Sequence, residues 1–141
     1  MTLGHRANAN GAQSSLSHAG VRIVFTNHST TTCTLFGYPG AAALNAHGKQ
    51  FRQARRTRNG YLAGRDHGKP RTIVLEPGEK AMSVIEGTSM NAHGRVKPCR
   101  TGRALLVTPP NTTHPTRVRF RDYFCHLEVH PVVHGATLRT S

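Results

Sequence analysis

From Val21 to Val133 the sequence alternates apolar and polar residues in short runs of period two, and nowhere sustains the 3.6-residue apolar period of an amphipathic helix. A β structure is what remains. Val21, Ile23 and Phe25 fall on one face of the first run, with Arg22, Val24 and Thr26 on the other, as a half-buried strand requires. Further runs cover Cys33 to Phe36, Ala41 to Asn45, Gln50 to Ala54, Arg71 to Leu75, Lys80 to Ile85, Ala104 to Val107, Thr116 to Arg121 and Phe124 to Val133. Turn chemistry separates them. Gly37-Tyr38-Pro39-Gly40 reads as a tight bend, Ala46-His47-Gly48 as a hairpin connection with a glycine for positive φ, and Pro77-Gly78 as a turn. Arg55 to Pro70 has no period and is expected as a loop. About eight or nine short strands with regular turn signals predict an all-β sandwich.

The 141 residues suffice for one hydrophobic core, and no repeat or low-complexity linker divides them, so residues 1–141 are expected to be a single domain. With 36% apolar residues and no Trp, that core must be assembled from Val, Ile, Leu and Phe, which suits two thin layers. No apolar run has the length of a membrane-spanning helix, and the first twenty residues lack a signal-peptide core.

Nineteen Lys and Arg against six Asp and Glu give a net charge of +13, and fifteen of the nineteen are Arg. Such a field favours polyanions as a class, whether nucleic acid, anionic headgroups or phosphate-rich polymers. Two segments concentrate it: Arg55, Arg56 and Arg58 in the aperiodic stretch, and Arg117, Arg119 and Arg121 on one face of a strand whose other face is Val118 and Phe120. These six are the candidate anion-binding residues. Tyr61 and Tyr123 are the aromatics near them outside apparent core positions, which is too few for base stacking and argues against sequence-specific nucleic-acid readout.

Cys33, Cys99 and Cys125 are spaced too widely for a structural zinc motif. Three thiols allow one internal bridge and leave one cysteine over; the spacing does not say which. Among the ten His, the set His126, Glu128 and His130 has i, i+2, i+4 spacing on the last strand, which makes it the one candidate for metal ligation. Neighbours two apart on a strand are separated by about 6.5–7 Å, so the bland expectation is that Leu127 and Val129 face the core and the trio faces water. No cofactor is expected. No GxSxG, HExxH or phosphate-loop motif is present and the six carboxylates are scattered, so the domain is expected to be non-enzymatic.

In order along the chain stand Thr26-Asn27, Cys33-Thr34-Leu35, Gly37-Tyr38-Pro39-Gly40, Leu75 with Pro77-Gly78, Cys99, Val107-Thr108-Pro109-Pro110 and Cys125. The order resembles a domain-of-unknown-function family common in secreted proteins and lipoproteins of actinobacteria. The resemblance implies an immunoglobulin-like sandwich, exported to the extracellular space or cell envelope, without known enzymatic activity. Members of that family carry four cysteines, the first ahead of the opening strand. Against that pattern the chain is expected to lack an upstream leader and the start of its first strand, to bridge Cys33 with Cys99, and to leave Cys125 unpaired. The function so implied is a secreted or envelope domain presenting loops or a basic surface to a protein or anionic envelope partner. The alternative is a cytoplasmic nucleic-acid or polyanion binder using the Arg-rich sheet face.

Overall fold

A computed structural model describes residues 3–14, 18–58, 68–88, 100–110 and 115–135. The elements are β1 (Leu3–Ser14), β2 (His18–Asn27), β3 (Cys33–Phe36), β4 (Gly40–Leu44), β5 (Gln50–Gln53), β6 (Arg55–Arg56), β7 (Thr72–Leu75), β8 (Lys80–Thr88), β9 (Arg100–Thr108), β10 (Thr116–Phe124), β11 (His126–Val129) and β12 (Val133–His134). One sheet runs β1-β2-β8-β11-β6 with β12 also on β8, a second runs β10-β9-β4-β5, and β3 pairs with β7. The expected all-β sandwich is what forms. Every pairing is antiparallel except β6 with β11.

Alternation fixes which residues meet between the layers. Val21, Ile23 and Phe25 of β2, Ala81 and Ile85 of β8, and Leu127 and Val129 of β11 pack against Ala41 and Ala43 of β4, Leu105 and Val107 of β9, and Val118 of β10. Cys33, Leu35 and Leu75 bring the β3–β7 ribbon into the same core. Small Ala41 and Ala43 beside larger Leu105 and Val107 in one layer, with Phe25 and Ile85 in the other, let layers of modest apolar content fill their interior. The ribbon's other face carries exposed Phe36 and Val74.

Where strands were expected, the structure has them, with three differences. Leu3–Ser14 forms β1 although its run of Asn, Gly and Gln shows no apolar alternation. It is an edge strand whose ladder to β2 runs from Leu3 opposite Asn27 to Ser14 opposite Ala19, and backbone pairing, which any sequence offers, defines it. Arg55 and Arg56, expected in a loop, form β6 by pairing with Glu128 and Val129. The last apolar run is interrupted at Cys125, which separates β10 from β11.

Asn27 closes the end of β2 where β3, β7 and β8 meet. It is fully buried. Its Nδ2 donates to the carbonyls of Leu75 and Thr31, each at 2.9 Å, and its Oδ1 accepts from the Ser29 amide at 2.9 Å and the Ser29 hydroxyl at 2.7 Å. Its backbone continues the node, accepting from the Gly78 amide at 2.8 Å and donating to the Glu79 carbonyl at 3.0 Å. A buried amide satisfied at every position holds the turn residues that the apolar core cannot reach.

Candidate functional site

The outer face of the four-stranded sheet carries the charge. Arg117 of β10 stands opposite Leu106 of β9, and Arg119 opposite Ala104. Between them Val118 turns into the core, 4% exposed, while Arg117 and Arg119 lie in solvent. Across β9, Ala42 and Leu44 of β4 are the partners of Leu106 and Ala104, so the outer face has an apolar floor with a cationic wall. At the β4–β5 turn the floor becomes a cleft of about 360 Å3, lined by Leu44, Gly48, Arg103, Ala104, Arg117 and Arg119 among others.

The turn is shaped to admit the arginine. Asn45 Oδ1 accepts from the amides of His47 and Lys49 at 2.9 and 3.0 Å, which folds the connection tightly. Gly48 has φ +74°, and a Cβ there would stand 2.9 Å from Arg117 Nη2. Three guanidinium groups around a partly apolar hollow suit a phosphate, sulfate or carboxylate: planar forks match such oxygens bidentately, and the apolar floor reduces competition from water.

The expected six arginines therefore do not act together. Arg117 and Arg119 line the cleft, joined by Arg103. Arg103 was not among the candidates because it precedes the apolar run Ala104 to Val107 and has no charged partner at strand spacing. Arg55 belongs to β6 in the other sheet and pairs with Glu128 at 3.0 Å; Arg56 and Arg58 are exposed there too. The Arg121 side chain lies outside the described residues.

A second cluster sits between β8 and β11. Glu128 stands directly opposite Glu86. Glu86 is 2% exposed and His130 fully buried, with His130 Nε2 3.3 Å from Glu86 Oε2. His130 Nδ1 lies 2.8 Å from the Thr57 carbonyl. Its own carbonyl accepts from Ser83 Oγ at 2.7 Å and its amide donates to the Val84 carbonyl at 3.1 Å. The expected trio is thus divided. Leu127 and Val129 do face the core, but His126 is exposed and opposite Thr88, whereas His130 turns inward and Glu86 takes the third place, all three ligand atoms lying within 4.8 Å. A cross-strand partner 42 positions away leaves no trace in local spacing.

Cys33 and Cys125 lie at different ends of the sandwich. Cys33 is buried, its Sγ 3.7 Å from Ser29 Oγ beside the Asn27 node. Cys125 precedes His126, which pairs with Thr88 at the far end of β8. Cys99, the partner expected for Cys33, lies outside the described residues.

These features define an all-β domain with a cationic cleft on one sheet and a buried carboxylate–imidazole cluster in the other. Residues 2–139 match the family described as a domain of unknown function, DUF4232, and the chain belongs to that family. Comparisons with curated proteins and with solved structures find no match. Among the described residues no helix is long and apolar enough to cross a membrane.

Proposed function

We propose that this domain acts without catalysis in the extracellular space or cell envelope, where its basic face holds an anionic polymer or anionic envelope surface. The observation that carries the reading is the convergence of Arg103, Arg117 and Arg119 on one cleft with an apolar floor. The glycine at position 48, set by its positive φ, leaves open the space that the Arg117 guanidinium takes beside the cleft. The net charge of +13 supplies long-range attraction for the same class of partner.

The cleft also favours this reading over a nucleic-acid binder in the cytoplasm. None of its described lining residues is aromatic, so bases would find no stacking platform while phosphates would find their counter-charges. Fluorescence anisotropy with labelled inorganic polyphosphate, titrated across salt, tests it. Affinity should fall steeply with ionic strength, and an Arg117→Ala, Arg119→Ala double variant should reduce the slope of log K against log salt by about two. Unchanged affinity and slope in that variant would remove the cleft from the function. Single-stranded DNA bound more tightly than polyphosphate of equal charge would favour the nucleic-acid alternative.

A further inference from the structure

We infer that the cleft at the β4–β5 turn binds one phosphate monoester carried on an apolar group; this rests on the reading of the same face as an anion-holding surface. Its floor is the starting point. Ala41 and Ala43 point into the core, so by alternation Ala42 and Leu44 point outward, where Leu44 stands beside Ala104 of β9 and Ala104 beside Arg119 of β10. Outward apolar residues on a flat sheet are open to water. Leu44 is 3% and Ala104 8% exposed, so the hollow over them is recessed.

The rim is chemically one-sided. Arg103, Arg117 and Arg119 supply three guanidinium groups, no lining residue is acidic, and among the described residues no carboxylate pairs with any of the three. Asn45 adds to this side. Its Oδ1 is committed to the amides of His47 and Lys49, which fixes the group so that Nδ2, a donor, is what it can offer a ligand. The cleft therefore presents donors and no uncommitted side-chain acceptor. The oxygens of an anion are served by such a rim, whereas polyol hydroxyls, which donate as well as accept, are served only in part.

Size and charge narrow the ligand further. The volume of about 360 Å3 falls among small-molecule sites, which span about 300–1,000 Å3, and is far more than one phosphate group fills. The remainder lies over Leu44 and Ala104, where an apolar group releases water that neither side chain can hydrogen-bond. A terminal phosphate carries a charge of about −1.5 to −2 at neutral pH and three acceptor oxygens, more than a phosphate within a diester chain offers. Three guanidinium forks converging from β9 and β10 match the terminal group.

Calorimetry on the full chain compares n-hexyl phosphate with methyl phosphate and with sorbitol phosphate, its hydroxylated counterpart, at fixed ionic strength. One hexyl phosphate per chain is expected, bound about tenfold or more tightly than the other two, which burial of two methylenes supplies. Ala46→Glu, at an exposed turn position on the rim, should weaken hexyl and methyl phosphate alike by about tenfold. Leu44→Ser should remove the hexyl advantage and leave methyl phosphate binding as it was. Should Leu44→Ser fail to fold, the ligand series on the wild type and Ala46→Glu carry the test. Sedimentation with phosphatidylcholine vesicles containing phosphatidic acid separates the sources. Capture that hexyl phosphate displaces assigns a membrane lipid, and hexyl phosphate binding without capture assigns a free amphiphile. Equal affinity for hexyl and methyl phosphate, sorbitol phosphate bound as tightly as hexyl phosphate, or no effect of Ala46→Glu would each overturn the assignment, even where polyphosphate binding still weakens in the Arg117→Ala, Arg119→Ala variant. Polyphosphate binding indifferent to that double variant would instead remove the anion-holding reading itself.

Discussion

The guanidinium of Arg117 occupies the space that a side chain on residue 48 would fill: Nη2 lies 2.9 Å from the position of a Cβ on Gly48. The turn and the arginine are therefore one unit. Gly48→Ala meets two obstacles at once, a backbone φ of +74° that costs an L-residue about 1–2 kcal/mol and the guanidinium itself. Arg117 is long and exposed, so it should yield rather than the turn. The variant should lose about 1–2 kcal/mol in urea unfolding, and its polyphosphate affinity should fall even at low salt.

Removing the Asn27 side chain takes the amide donor from the buried Leu75 carbonyl and the acceptor from the Ser29 amide, while the Ser29 hydroxyl and the Thr31 carbonyl keep each other at 2.9 Å. The Leu75 carbonyl contact is buried, so water does not replace it fully. Asn27→Ala should lower stability by about 2–4 kcal/mol, and Asn27→Asp, which keeps the acceptor but places a charge beside two carbonyls, should be no better. Thermal melts of the three proteins under one buffer provide the check.

The ladders limit cysteine pairing. Cys33 lies by the Asn27 node, at the end of β2 next to Lys80, and Cys125 adjoins the residue opposite Thr88. The nine residues of β8 separate these ends by about 26 Å. Disulfide partners approach to about 4–7 Å between Cα atoms, so the expectation for material secreted into an oxidising medium is a single internal cross-link by peptide mass spectrometry that does not join Cys33 to Cys125. Three reduced thiols in such material would count against the extracellular reading.

The β3–β7 ribbon should divide cleanly by face. Leu35 and Leu75 are fully buried while Phe36 and Val74 are 56% and 49% exposed. Leu35→Ala should cost about 2–5 kcal/mol, and Val74→Thr should fall within about 0.5 kcal/mol of wild type. A large loss from Val74→Thr would mean that a partner covers this face in solution, and its concentration dependence would reveal one.

What the sequence discloses is set by range. Val21 to Phe25, Leu105 with Val107, and Leu127 with Val129 announce their inward faces because β alternation is local. Pro77-Gly78 and Ala46-His47-Gly48 announce their turns for the same reason: a positive φ at Gly78 and Gly48 is a property of single residues. β1 was illegible, since its definition is a ladder to β2 rather than an apolar stripe. The basic cleft was half legible. Arg117 and Arg119 share a strand and a parity, but Arg103 joins them from β9, at the point where the β9–β10 register shifts. His130 was read as a surface residue on strand parity, and it turns inward because β11 ends at Val129, which frees its ring to meet Glu86.

Asn27, His28 and Ser29 spell an acceptor triplet for N-linked sugar. The nitrogen that an oligosaccharide would occupy is the one that donates to Leu75 and Thr31 inside the node. In a eukaryotic secretory host, glycan transfer and folding would thus compete for a single atom. Chains modified there before β2 docks would be barred from the native state, so yield from such a host should rise when Ser29 is replaced by a residue that spoils the triplet, provided the weakened node still closes.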